Sequence, residues 1–295
     1  MDIVHHALIG GAGLLGTMAC NDPLAGAAFV AGSVFPDLDA AFMLFGKRFY
    51  LRNHQGITHS LVLAPVYALL LSGLLWALPG IDWSWTMYAG ALAGLVLHLV
   101  LDWLNTFRIA LFAPFVRRRF SADAVFFVDG VALTLTALFY LLYGYFEYQA
   151  ALWLYPALFA AYLGAKGLLH RSVSRKLRAL SAIPSALNPF AFYILEAQGE
   201  ARVAYLYHAL TGTRSHQRIY HPAGAEYQKL AGQSSVFRDM ARVTRAFQIT
   251  EVVTDGSGTL IRAADIAVRN FGGRFGQTEL RFDPTGKLIH EVANI

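Results

Sequence analysis

Apolar residues run almost unbroken over residues 7–20, 22–35, 58–78, 86–105, 124–146 and 150–169, each run closed by a short polar stretch. A bilayer core of roughly 30 Å needs about 20 helical residues. The last four runs reach that length and the first two fall short. Those two carry Gly10, Gly11, Gly13, Gly16, Gly26 and Gly32, small residues that let helices meet backbone to backbone in lipid, so they predict a closely packed, partly inserted pair. The pattern as a whole predicts a mainly α, polytopic bundle of about six membrane helices over residues 1–178.

Beyond residue 178 the long runs give way to apolar residues mixed with charged ones. Residues 225–247 read as a helix, and 248–254, 259–268 and 277–282 as strands. Asp255-Gly256, Gly272-Gly273 and Asp283-Pro284-Thr285-Gly286 stand between or after them as turn chemistry. Residues 179–295 are therefore expected to form a small α+β domain with an antiparallel sheet.

Composition supports the membrane reading: 56% of residues are hydrophobic and 15% charged, against roughly a quarter charged in a soluble domain. The first apolar run opens on His5-His6 rather than on Lys or Arg and has no clear cleavage site, so no secretory signal is expected. Cys20 is the sole cysteine, which excludes an intrachain disulfide and a cysteine-based zinc site. The net charge of +5 changes the picture through its placement. Up to residue 178 the basic residues are Lys47, Arg48, Arg52, Arg108, Arg117, Arg118, Arg119, Lys166, Arg171, Arg175, Lys176 and Arg178, and six crossings put all of them on one face. The turns of the other face carry Asp22, Asp82 and Glu147. By the positive-inside rule the basic face, with the N-terminus and the 179–295 domain, is cytoplasmic. Basic and acidic residues are nearly balanced in both parts, so no specific nucleic-acid partner is expected; the bilayer itself is.

The same topology brings metal-ligand residue types to that face: His6 at the start of the first span, Asp37 and Asp39 at the end of the second, His54 and His59 before the third, and His98 and Asp102 in the last turns of the fourth. His98 and Asp102, four apart on an apolar helix, share one face, and ionisable groups at such a place read as functional. A hydrogen-bonded pair locking two spans is the plain alternative. Gly56 permits a turn and Thr58 reads as the N-cap of the third span. Imidazole and carboxylate without cysteine suit a divalent metal, zinc first, with manganese or iron as alternatives. Seven candidates exceed one tetrahedral shell, so one or two ions are expected. No Glu precedes Glu147, which leaves Asp37 or Asp39 as the catalytic base. Asp129 is a further candidate ligand. Ser60 lacks the context of a nucleophile, and His208, His216 and His221 are too loosely spaced to form a site.

His6-Ala7, Pro36-Asp37-Leu38-Asp39, His54-x-Gly-x-Thr58-His59-Ser60 and His98-x-x-x-Asp102, followed by Leu104-Asn105-Thr106 and Leu111-Phe112-Ala113-Pro114-Phe115, resemble the YdjM family of bacterial inner-membrane metal-dependent hydrolases over about residues 1–135. That family is similar to zinc-dependent phospholipase C. The resemblance implies ligand roles for His6, Asp37, His54, His59, His98 and Asp102, Asp39 as ligand or base, and a phosphoester target. Gln55 stands where the family usually has Arg, so phosphate binding would pass to Arg52, Arg108 or Arg117–Arg119. The function expected is hydrolysis of a lipid or lipid-linked phosphoester by metal-activated water at the cytoplasmic face of the inner membrane. The alternatives are a metal-dependent amidase or acyl hydrolase, and a non-enzymatic metal-binding transporter or scaffold.

Overall fold

A computed structural model describes residues 2–116, 118–267 and 276–294. They form two compact units, Met1–Met43 with Asn53–Leu169 and Leu44–Arg52 with His170–Ile295.

The first unit is helical. Helix α1 (Ile3–Ala19) is capped by Asp2, whose carboxylate accepts from the Val4 and His5 amides, and α2 (Pro23–Val34) by Asp22, with Pro23 in the first turn where no amide is needed. At Pro36 an α-helical hydrogen bond is lost, and α2 runs on as a 3-10 helix, Phe35–Phe45. After α3 (Lys47–Asn53) and a 3-10 turn at Ile57–His59 come α4 (Ala64–Trp76), α5 (Trp85–Leu104), α6 (Gly130–Tyr140) and α7 (Ala151–Leu177). Helices α2 and α5 lie backbone to backbone. A Cβ built on Gly94 would stand 2.1 Å from the Phe29 carbonyl oxygen, and one on Gly32 2.2 Å from that of Ala91. Ala28, Ala64, Ala68, Met87, Ala91, Leu95 and Leu99 fill the space around this contact.

Six membrane helices were expected. Among the described residues three are long and apolar enough to cross a bilayer, Pro23–Phe45, Trp85–Leu104 and Ala151–Leu177, or four if Phe49–His59 and Ala64–Trp76, bent by 87°, form one broken span. The 124–146 run is shorter as a helix than as a hydropathy pattern because Asp129 caps α6 at Gly130 and leaves the preceding residues irregular. The 58–78 run likewise becomes helical only at Ala64, and Pro65 stands in its first turn. Thr58 caps nothing there; α4 begins after Leu63 with no side-chain cap. The second run, expected to be short, gains a span's length from its 3-10 continuation.

The second unit carries two antiparallel four-stranded meanders. The first comprises β1 (Ser181–Pro184), β2 (Ala191–Gln198), β3 (Ala201–His208) and β4 (Arg214–Tyr220); the second comprises β5 (Phe247–Asp255), β6 (Gly258–Asp265), β7 (Gln277–Phe282) and β8 (Leu288–Asn294). The hairpin at Asp255-Gly256 and the turn at Asp283 form as the sequence predicts, with Asp255 and Asp283 accepting from amides two residues on. The expected turn at Gly272-Gly273 and the end of the expected 259–268 strand lie outside the described residues. The single helix expected over 225–247 is two, α8 (Ala225–Ala231) and α9 (Ser235–Val243), separated at Gly232. Tyr227, Leu230 and Phe237 from these helices pack on Ile249, Ile261, Leu280 and Phe282 of the second sheet.

Candidate metal centre

Three stretches of the helical unit bring acceptor atoms to one point. Asp37 comes from the 3-10 continuation of α2, His59 from the Ile57–His59 turn, and His98 and Asp102 from successive turns of α5. Their ligand atoms all lie within 4.8 Å of one another and all four residues are buried. His59 Nε2 is 3.4 Å from His98 Nε2, 3.5 Å from Asp37 Oδ1 and 3.3 Å from Asp102 Oδ2. His98 Nε2 is 3.6 Å from Asp37 Oδ1 and 3.5 Å from Asp102 Oδ2. Asp37 is the most open of the four, its side chain 11% exposed.

The hydrogen bonds behind the rings decide what those nitrogens can do. His98 Nδ1 is 2.7 Å from the Ser33 carbonyl, which can only accept, so Nδ1 carries the proton and Nε2 presents a lone pair. Thr58 Oγ1 donates to Asp39 Oδ2 at 2.7 Å; with its hydrogen used there, its oxygen accepts from His59 Nδ1 at 3.1 Å, so that in the neutral ring His59 Nε2 is also a lone pair. With both rings neutral, two lone pairs and two carboxylate oxygens face one another. Such a group is relieved by protonating a ring or by taking up a metal cation, and histidines held through their outer nitrogen are the usual way a protein aims imidazole at a metal. Asp37 turns Oδ1 to the group, and its Oδ2 is buried with no hydrogen-bond partner among the described residues. The residues therefore fit a metal ion.

The other three candidates stand around this group rather than in it. Asp39 accepts from His54 Nδ1 at 2.6 Å, from the Gln55 amide at 2.9 Å and from Thr58. In a 3-10 helix residues two apart point about 120° away from each other, which is why Asp37 faces the group and Asp39 faces the 54–58 loop. His54 is spent on Asp39. His6 lies against both α5 residues: Nε2 is 3.1 Å from Asp102 Oδ1, and its ring stacks on His98 at 3.8 Å. Thr58 and the Ser33 carbonyl are the members that sequence reasoning missed. Thr58 had a signal, since it adjoins His59, but it was read as a helix cap; a backbone carbonyl has none.

Elsewhere, Asp129 is the N-cap of α6 and accepts from Tyr162 at 2.7 Å, and Ser60 donates to the Ala113 carbonyl. Neither joins the four. His208, His216 and His221 belong to the second unit. Of the candidate phosphate-binding cations, Arg52 is held by Asp239 through Nε and Nη2 at 3.1 and 3.2 Å. Arg119 donates through Nη2 to the His54 carbonyl at 3.0 Å. Burial lowers the Arg119 pKa from its ordinary value and the nearby Asp39 charge opposes that shift. Arg117 lies outside the described residues.

The sequence model described as "YdjM inner membrane protein" matches residues 1–173, which includes every residue of the group. A protein of Bacillus subtilis (strain 168), described as "Uncharacterized protein YfhP", is 27% identical over 179 residues, 50% of this chain and 53% of the relative. The chain thus spans about half the length of that curated relative. No solved structure matches.

Proposed function

The chain belongs to the YdjM inner membrane protein family, and from that premise we propose that it is a membrane-bound metal-dependent hydrolase acting on a phosphoester of a lipid or lipid-linked substrate at the cytoplasmic face. Residues 1–178 would be the catalytic domain and 179–295 a cytoplasmic one. The observation that carries the reading is the five separations of 3.3–3.6 Å among the two imidazole nitrogens and two carboxylate oxygens. Zinc ligands at about 2.0–2.2 Å in a tetrahedron stand roughly 3.3–3.6 Å apart, which favours Zn²⁺ over a larger ion.

In this reading Asp37, His59, His98 and Asp102 hold the ion. When bound, it supplies Lewis-acid polarisation of the ester and a nucleophile at neutral pH. Ser33 and Thr58 accept from both Nδ1 atoms and so aim both Nε2 atoms inward. Asp39 fixes Thr58 and His54 and so orients His59 at one remove, and His6 holds the far oxygen of Asp102. Asp37, at the open side of the group, is the carboxylate best placed to meet substrate and to take a proton from attacking water.

The test is metal analysis of the purified protein beside His98→Ala and Asp102→Ala, with a panel of phosphate mono- and diesters, phospholipids, amides and carboxylic esters. Loss of metal and of phosphoester turnover in both variants is expected. Full metal content in both would overturn the ligand set. Turnover of amides or carboxylic esters alone would replace the phosphoester reading, and a metal-loaded protein without turnover would replace the enzyme with a scaffold or carrier.

A further inference from the structure

The loop after α5 is tied to the strand of chain that carries His54 and His59, and its tip is apolar. An antiparallel bridge joins Ile109 and Phe120, with Ile109 N to Phe120 O at 2.9 Å and Phe120 N to Ile109 O at 2.8 Å. Three bonds staple the loop to the site segment: Ala110 N to Gln55 O at 3.1 Å, Leu61 N to Leu111 O at 2.9 Å and Ser60 Oγ to Ala113 O at 2.5 Å. Beyond the staples, Phe115 is 80% exposed, Phe112 41% and Val116 41%.

Two further features say what covers this tip. Two turn hydrogen bonds, Ala113 N to Ala110 O at 3.0 Å and Val116 N to Phe112 O at 2.9 Å, fold its backbone back on itself in part. Arg118, stacked 5.4 Å above the Phe120 ring, and Arg119 stand at its base. Aromatic residues with arginine beside them are the chemistry of the headgroup boundary, where rings enter the acyl region and guanidinium meets lipid phosphate.

We propose that the 109–116 segment is an interfacial anchor whose Phe112–Val116 tip inserts into the leaflet beside the metal centre, so that the centre receives the headgroup of an amphiphile whose chains stay in the bilayer. The insertion stands on the loop alone; the amphiphile's role as substrate rests on the hydrolase reading above. The staples carry the consequence. Because residues 110, 111 and 113 bond to residues 55, 61 and 60, the depth of the loop sets the depth of the segment that bears His59.

The experiment places a nitroxide at Phe115→Cys, and separately at Phe112→Cys, in the Cys20→Ser background. The full chain is reconstituted in nanodiscs of phosphatidylethanolamine and phosphatidylglycerol. Greater collision with oxygen than with a water-soluble nickel chelate is expected at both positions. Dominant collision with the nickel chelate would overturn insertion, and so would protection from both reagents, which would mean a protein partner covers the tip. In a second arm, Phe115→Asp is expected to reduce turnover of a phospholipid by roughly tenfold while a short-chain soluble phosphoester is hydrolysed at the parent rate, since only the lipid must be met within the leaflet. An equal fall for both substrates would overturn the amphiphile route. If the parent protein hydrolyses neither substrate, the hydrolase reading falls and the nitroxide result still decides insertion.

Discussion

His59 Nε2 and His98 Nε2 face each other at 3.4 Å, and that arrangement depends on atoms one step further out. Thr58→Val removes the hydroxyl that accepts from His59 Nδ1 and is expected to weaken metal affinity roughly 10–100-fold, with Thr58→Ser close to the parent protein. Competition with a chelator of known affinity measures it; equal retention in Thr58→Val would remove Thr58 from the site. The residue types of the centre were legible in the sequence because only a few histidines and aspartates interrupt the apolar runs of the first 178 residues. Their sorting was not. Asp37 and Asp39 are chemically identical and two positions apart, and only the 3-10 twist of Phe35–Phe45 turns one to the group and the other to Thr58.

At the scale of elements the close approach of α2 and α5 sets where the ligands lie, since His98 meets the Ser33 carbonyl across it. Gly94→Ala would drive a methyl to 2.1 Å from Phe29 O. A cost of about 1–3 kcal/mol is expected, seen as a lowered Tm in detergent together with reduced bound metal. Gly73→Ala in α4, where a Cβ meets nothing within 4 Å, is the contrast: higher helix propensity should leave the protein unchanged or stabilise it by up to about 1 kcal/mol. Hydropathy located the helices but misjudged their ends. A run of apolar residues does not reveal that Asp129 will cap α6, or that residues 57–63 will turn rather than join α4. The first sheet escaped notice for a related reason: β2 reads Ala-Phe-Tyr-Ile-Leu with buried residues on both faces, so it lacks the two-residue alternation by which strands are recognised.

At the scale of the whole molecule, Arg52, two residues before His54, belongs to the second unit through Asp239, which is buried. Arg52→Ala is expected to cost about 1–2 kcal/mol, because it strips a charge-assisted pair from a buried carboxylate. Exchange of the two charges, Arg52→Asp with Asp239→Arg, should recover part of the loss in a double-mutant cycle followed by chemical unfolding; strict additivity would mean the pair is idle. The cytoplasmic orientation proposed for residues 179–295 predicts that green fluorescent protein fused after Ile295 fluoresces and alkaline phosphatase fused there is inactive; the opposite pattern would reverse it. What the sequence by itself determined was the membrane character, the helical part followed by an antiparallel sheet part, and the supply of imidazole and carboxylate near the ends of the apolar runs. Those are properties of composition and short-range order, which each segment carries on its own. What only the tertiary structure decided was which four side chains share a point and which stand behind them. That choice depends on helix contacts between residues far apart in the chain and on a carbonyl and a hydroxyl whose roles no local pattern encodes.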